Sequence, residues 1–126
     1  MQARPAVPNR SCYRSIAPVA LMLVAACSFP AAARDDIARG QRLLAQYQCG
    51  ACHIIPGIED ARGKAGPPLN AFGRRSYIAG HIPNTTDRLA QWIMAPRSLV
   101  PNTTMPDMGV TERDARAMAA YLRTLQ

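Results

Sequence analysis

The sequence predicts an all-α domain of three main helices and long loops, packed around something other than its own side chains. Three observations point there. Apolar residues recur at helical spacing in three segments, Ile37 to Tyr47, Leu89 to Ile93 and Ala115 to Leu122. No stretch alternates apolar and polar residues as a half-buried strand does. From Ile54 to Pro83 the chain is crowded with turn formers (Pro56-Gly57, Gly63, Gly66-Pro67-Pro68, Gly73, Gly80, Pro83), a loop too long for a compact domain unless something fills its middle.

The N-terminal 33 residues read as an export signal. Arg4, Arg10 and Arg14 form a basic start, Ile16 to Ala26 is continuously apolar, and Ala31-Ala32-Ala33 precede the polar Arg34-Asp35-Asp36. A cut after Ala33 leaves residues 34–126 as the folded domain. Two alternatives stand beside it. Val24-Ala25-Ala26-Cys27 resembles a bacterial lipoprotein box, which would place the cut before Cys27 and tie the protein to a membrane through that lipidated cysteine. An uncleaved anchor is the other, although the apolar run is short for a span and Pro18 and Pro30 interrupt its extension.

Asp35 or Asp36 is the expected cap of the first helix, with Ile37, Gly40, Leu43, Leu44 and Tyr47 near one face. Gly40 inside that helix costs about 1 kcal/mol relative to alanine, which implies a packing reason. The helix should stop near Cys49-Gly50. One short helix is expected around Leu69 to Phe72. Asn84-Thr85-Thr86-Asp87 offers N-caps to a helix bearing Leu89, Trp92 and Ile93, which Pro96 ends. After the irregular stretch Pro101 to Gly109, Thr111-Glu112-Arg113-Asp114 forms a capping box for the last helix. Ala115, Met118, Ala119 and Leu122 are its apolar stripe.

A domain of this size buries only roughly 60–65% of its unfolded surface, so it calls for a staple. Disulfides do not supply one. Cys12 lies in the signal and Cys27 at or before its end, and a crosslink between Cys49 and Cys52 would close a tiny loop. The whole chain carries +7. With Arg4, Arg10 and Arg14 removed from its 15 basic residues and all 8 acidic residues kept, the domain is +4. The basic residues are scattered, with Arg74-Arg75 the one adjacent pair, which suits transient docking to an acidic protein surface better than nucleic-acid binding.

The chemistry resides in Cys49-Gly50-Ala51-Cys52-His53, the C-x-x-C-H pattern of covalent haem attachment. Each thiol adds to one porphyrin vinyl group, and the adjacent histidine supplies a neutral imidazole nitrogen to the iron. Rival readings of the pair lack their context. A thioredoxin-like C-x-x-C belongs in a βαβ unit, and a structural zinc site needs four ligands, usually as two such pairs. The sixth iron ligand is open on the residues alone. Met94 and Met118 sit on helix faces as packing residues. Met105 and Met108 lie in a loop from which a thioether can reach a cofactor, and His81 is a third candidate.

Residues 34–126 resemble a class I cytochrome c over nearly their whole length. The matching pieces are Gly40 with Leu43-Leu44, Cys49 to His53, Gly66-Pro67-Pro68-Leu69, Phe72-Gly73-Arg74, Trp92-Ile93, Pro96, Pro101 to Pro106, and Tyr121-Leu122. The stretch from Phe72 to Trp92 is especially similar to cytochrome c domains fused to oxidase subunit II. The resemblance implies one haem c, with Met105 as distal ligand opposite His53. The Pro67 carbonyl would accept the hydrogen bond from His53 Nδ1. Arg74 would compensate a buried propionate, with Tyr77 or Asn84, and Trp92 would pack near the haem and Met105. Gly40 would let the first helix approach Tyr121 of the last.

The expected function is one-electron transfer between Fe(II) and Fe(III) by an exported, periplasmic carrier of a respiratory-type chain, an electron-transfer protein rather than an enzyme. Its partners would be a reductase or dehydrogenase donor and a terminal oxidase acceptor with an acidic docking surface. A haem c subunit fixed in a larger oxidoreductase is the alternative, and a ligand-binding haem enzyme or sensor a third reading.

Overall fold

The computed structural model describes residues 31–126. The expectations about the export signal, the lipoprotein-type cut and Cys27 lie outside the described residues. The all-α class holds. Four α-helices are present among these residues: α1 (Ala31–Gln46), α2 (Thr86–Met94), the single-turn α3 (Pro96–Leu99) and α4 (Glu112–Thr124). Tight 3₁₀ turns occur at Cys49–Ala51 and Phe72–Arg74. A small antiparallel hairpin, β1 (Tyr77–Ile78) and β2 (Ile82–Pro83), pairs Tyr77 with Pro83 and Ile78 with Ile82.

The start of α1 corrects one expectation. Asp35 and Asp36 lie inside the helix, not at its cap, because the helix already runs from Ala31. Alanine has the lowest cost of entering a helix, so Ala31 to Ala33 extend it upstream, and the boundary expected at residue 33 falls in its first turn. At the other end Gln48 takes a left-handed conformation (φ 56°), and the chain turns directly into Cys49–Ala51.

α4 packs against both α1 and α2. Its buried face is built from Ala115, Ala117, Met118, Ala119, Tyr121 and Leu122, and the small residues among these allow close approach. A Cβ on Gly40 would run into the Ala117 carbonyl, so the two backbones meet there. The expected partner, Tyr121, is instead one helical turn further along α4. Its hydroxyl donates to the Pro56 carbonyl at 2.7 Å and anchors the loop after the C-x-x-C-H segment.

Thr111 caps α4, its hydroxyl accepting from the Asp114 amide at 3.2 Å. The reciprocal half of a capping box is not made. The Asp114 carboxylate turns to α1, where it pairs with Arg39 and accepts from the Tyr47 hydroxyl at 3.0 Å. Thr85 caps α2 by accepting from the Arg88 amide. Pro96 follows the end of α2 and opens α3 at a position where its missing N–H costs nothing.

Two features of the central loop differ from expectation. Leu69 to Phe72 is not a helix. The Leu69 amide donates to the Ile54 carbonyl at 2.8 Å, Ala71 takes a left-handed conformation (φ 50°) that no right-handed helix admits, and the 3₁₀ turn begins only at Phe72. The hairpin was not anticipated, because strands of two residues are too short to show alternation. Ala79 and Gly80, both at positive φ, turn its corner.

Candidate functional site

The loop from Ile54 to Pro83, the C-x-x-C-H turn, α2 and the 101–109 loop enclose a cavity of about 490 Å³. Its wall is mostly apolar, with Leu44, Leu69, Phe72, Ile78, Leu89 and Ile93 contributing. Cys49, Cys52, His53, Pro67, Trp92 and Met105, six residues singled out from the sequence, all line it. Arg74, the seventh, does not. It is exposed, and the neighbouring Arg75 faces the cavity. Arg74 ends the 3₁₀ turn and Arg75, the next residue, is already extended (φ −74°, ψ 136°), so the two side chains leave the backbone in different directions, one to solvent and one to the wall.

His53 is held from two sides. Its Nδ1 lies 2.7 Å from the Pro67 carbonyl. A carbonyl only accepts, so Nδ1 carries the proton and Nε2 keeps the lone pair. Against its ring stands Gly66, where any Cβ would collide with the imidazole. Gly66 is itself fixed by its amide, which donates to the Cys52 carbonyl at 2.8 Å. Sequence reasoning did not single out this contact, although the Gly-Pro-Pro run hinted at a tightly shaped segment.

Cys49 and Cys52 are not bridged to each other, and burial pushes an unattached Cys49 thiol up from its ordinary pKa. They sit three residues apart on a tight turn, and the His53 amide bonds back to the Cys49 carbonyl at 3.0 Å. Met105 is half-buried and its amide donates to the Thr103 hydroxyl at 3.2 Å. Met108 also reaches the wall but is 43% exposed. Met118 is fully buried in the core, Met94 is outside this cavity, and His81 is exposed with its Nδ1 beside the Ala79 carbonyl.

Of the two residues proposed to assist the arginine, Tyr77 lines the cavity and Asn84 does not. Asn84 instead donates through Nδ2 to the Phe72 and Arg75 carbonyls at 3.1 and 2.9 Å, fixing the turn from behind. The donor set on the wall suits a porphyrin with attachment points better than a bare ion. Two thiols at fixed spacing, one imidazole, the thioethers of Met105 and Met108 and a guanidinium are set in apolar surroundings. Among the described residues, no three His, Cys, Asp or Glu side chains gather as a metal site.

A cytochrome c family model matches residues 37–126. The chain belongs to the cytochrome c family. It is 30% identical over 95 residues to cytochrome c-551 of Ectopseudomonas mendocina, an alignment covering 71% of this chain and 100% of that protein. It is 36% identical over 89 residues to cytochrome c oxidase subunit 2 of Alkalihalophilus pseudofirmus, covering 70% of this chain and 25% of the other. It is 30% identical over 105 residues to cytochrome c-type cyt cy of Rhodobacter capsulatus, with 76% and 52% covered. The chain thus spans a quarter of the oxidase subunit and about half of the Rhodobacter capsulatus protein. Membership makes this cytochrome a haem-based electron carrier whose cofactor is covalently bound haem c. No helix among the described residues is long and apolar enough to cross a membrane.

Proposed function

We propose that the protein is a one-haem carrier, in which Cys49 and Cys52 would hold the haem by thioether bonds, His53 and Met105 would be the iron ligands, and single electrons would pass to a terminal oxidase outside the cytoplasm. One observation carries this reading: both thiols, the oriented His53 and the Met105 thioether line one apolar cavity. Bound haem supplies an iron that gains or loses one electron. The chain supplies everything that sets how readily this happens. The Pro67 carbonyl, by accepting from Nδ1, holds the imidazole in one orientation and makes Nε2 a stronger donor. Met105, as a thioether ligand beside the His53 imidazole, would favour the reduced iron relative to two nitrogen ligands and so raise the potential. The packed wall limits water access, so little must rearrange when the charge changes. Tyr77 and Arg75 offer polar contacts at the wall for the propionates.

Equilibrium redox titration followed by absorbance tests this reading. A single reversible one-electron transition supports it, and two transitions, or rapid carbon monoxide binding by the reduced wild type, count against it. A second reading has a specific support. Relatives named cytochrome c oxidase subunit 2 carry a region similar to this chain, which suits a role within an oxidase assembly. Co-purification of an oxidase at stoichiometric ratio would favour that assembly over a free carrier.

A further inference from the structure

We infer that Arg75 is a positioning residue for His53, acting through the segment Pro67–Asn70. The inference rests on the haem reading above, and it begins from what two consecutive prolines lack. Pro67 and Pro68 have no N–H, so the rest of the fold can grip this stretch only by its carbonyls. The Pro67 carbonyl takes the His53 Nδ1 proton at 2.7 Å. The next carbonyl, Pro68, accepts from Arg75 Nη2 at 2.5 Å, and the same Nη2 donates to the Asn70 carbonyl at 3.1 Å. From the C-x-x-C-H side the segment is held by the Gly66 and Leu69 amides, which donate to Cys52 and Ile54. From the other side, Arg75 is its hold.

Arg75 is itself fixed. Its guanidinium lies 5.2 Å from the centre of the Phe72 ring, and its own carbonyl accepts from Asn84 Nδ2 at 2.9 Å. Asn84 commits both Nδ2 hydrogens to the Phe72 and Arg75 carbonyls, and its Oδ1 is buried without a partner. Such an orphan acceptor is tolerated where fixing the backbone of the turn outweighs it. The chain of contacts therefore runs from Asn84 to Arg75, to the Pro68 and Asn70 carbonyls, to Pro67 and to His53. Both bonds leave from the one Nη2, which is held in place because the flat guanidinium lies over the Phe72 ring, and a lysine ammonium on its flexible stem brings the charge without that planar contact.

The test uses the haem-loaded protein and reads the exchange rate of the His53 Nδ1 proton by NMR in the reduced state. Arg75→Gln should raise that rate about tenfold or more, the effect of losing a charge-assisted hydrogen bond from the closed state. Arg75→Lys should also raise it, at least several-fold, although the charge remains. Arg97→Gln, at an exposed position of α3, should change nothing. Exchange that rises with glutamine but not with lysine, or with neither, overturns the positioning role and leaves Arg75 acting as a charge alone. Should both variants fail to load haem, the wild type decides. The Arg75 Nη2 and His53 Nδ1 protons must then show one common dependence on denaturant, and separate dependences overturn the inference. A wild type that carries no covalent haem would instead sink the site reading, and the positioning role with it.

Discussion

The proton on His53 Nδ1 is held by the Pro67 carbonyl, and that bond decides which imidazole nitrogen is left for a metal. At this scale the sharpest choice lies between two methionines three positions apart. Met105 is half-buried, bracketed by Pro101 and Pro106, and steadied by its amide bond to Thr103, while Met108 is exposed. Met105→Ala should abolish the far-red sulfur-to-iron band of the ferric protein, open the iron to carbon monoxide and lower the potential. Met108→Ala should leave all three unchanged, and the reverse pattern would transfer the ligand role to Met108. That Cys49, Cys52 and His53 gather at one wall was legible in the sequence, because their C-x-x-C-H spacing puts all three on one short turn. The cavity-facing arginine was not, since Arg74 and Arg75 are adjacent and the end of a 3₁₀ turn falls between them. Nor could the Gly66 contact be read, because it depends on how the chain folds back onto the His53 ring.

Among the elements, the junction of α1 and α4 carries the most consequence. Gly40 meets the Ala117 backbone so closely that a methyl group must push the helices apart. Gly40→Ala should gain helix propensity yet lose stability, by about 1–3 kcal/mol net, the usual cost of overpacking. A thermal or denaturant melt of the loaded protein measures this. The same junction has a pH signature. Asp114, by accepting from the Tyr47 hydroxyl, raises that phenol above its ordinary value of 10.0. A raised folded-state pKa means stability fully present below pH 10 and lost as pH climbs through the higher folded value. Melting temperature should therefore fall more steeply above pH 10 in wild type than in Tyr47→Phe, and identical profiles would deny the link. The helices were legible from spacing and caps. The beginning of α1 was not, because alanine propensity outweighed the aspartate cap signal. The box at Thr111 was only half right, because Asp114 had a tertiary partner that no local pattern reveals.

For the whole molecule, the cavity is too large to be an incidental gap. Without haem, a space of about 490 Å³ that opens to solvent would leave its apolar wall facing water, and the burial that holds the surrounding loops and helices together would be lost. The protein without haem should therefore lose most of its helicity, and a haem-free form with native far-UV circular dichroism would contradict this. The surplus of basic residues acts at the same scale. Electron transfer to an acidic partner should slow as salt rises, since exposed charges are screened beyond roughly 8–10 Å at physiological ionic strength. A rate that is flat or rising with salt would argue against such a surface. The need for a filled centre was legible from the long Gly- and Pro-rich loop, whereas the shape of its wall required the fold. The most direct test of the haem site is intact mass under denaturing conditions, on protein made in a host able to attach haem. The predicted result is polypeptide plus one haem in wild type, and polypeptide alone when Cys49 and Cys52 are both alanine. Haem that falls away from the wild type on denaturation, or that stays on the double variant, would contradict it.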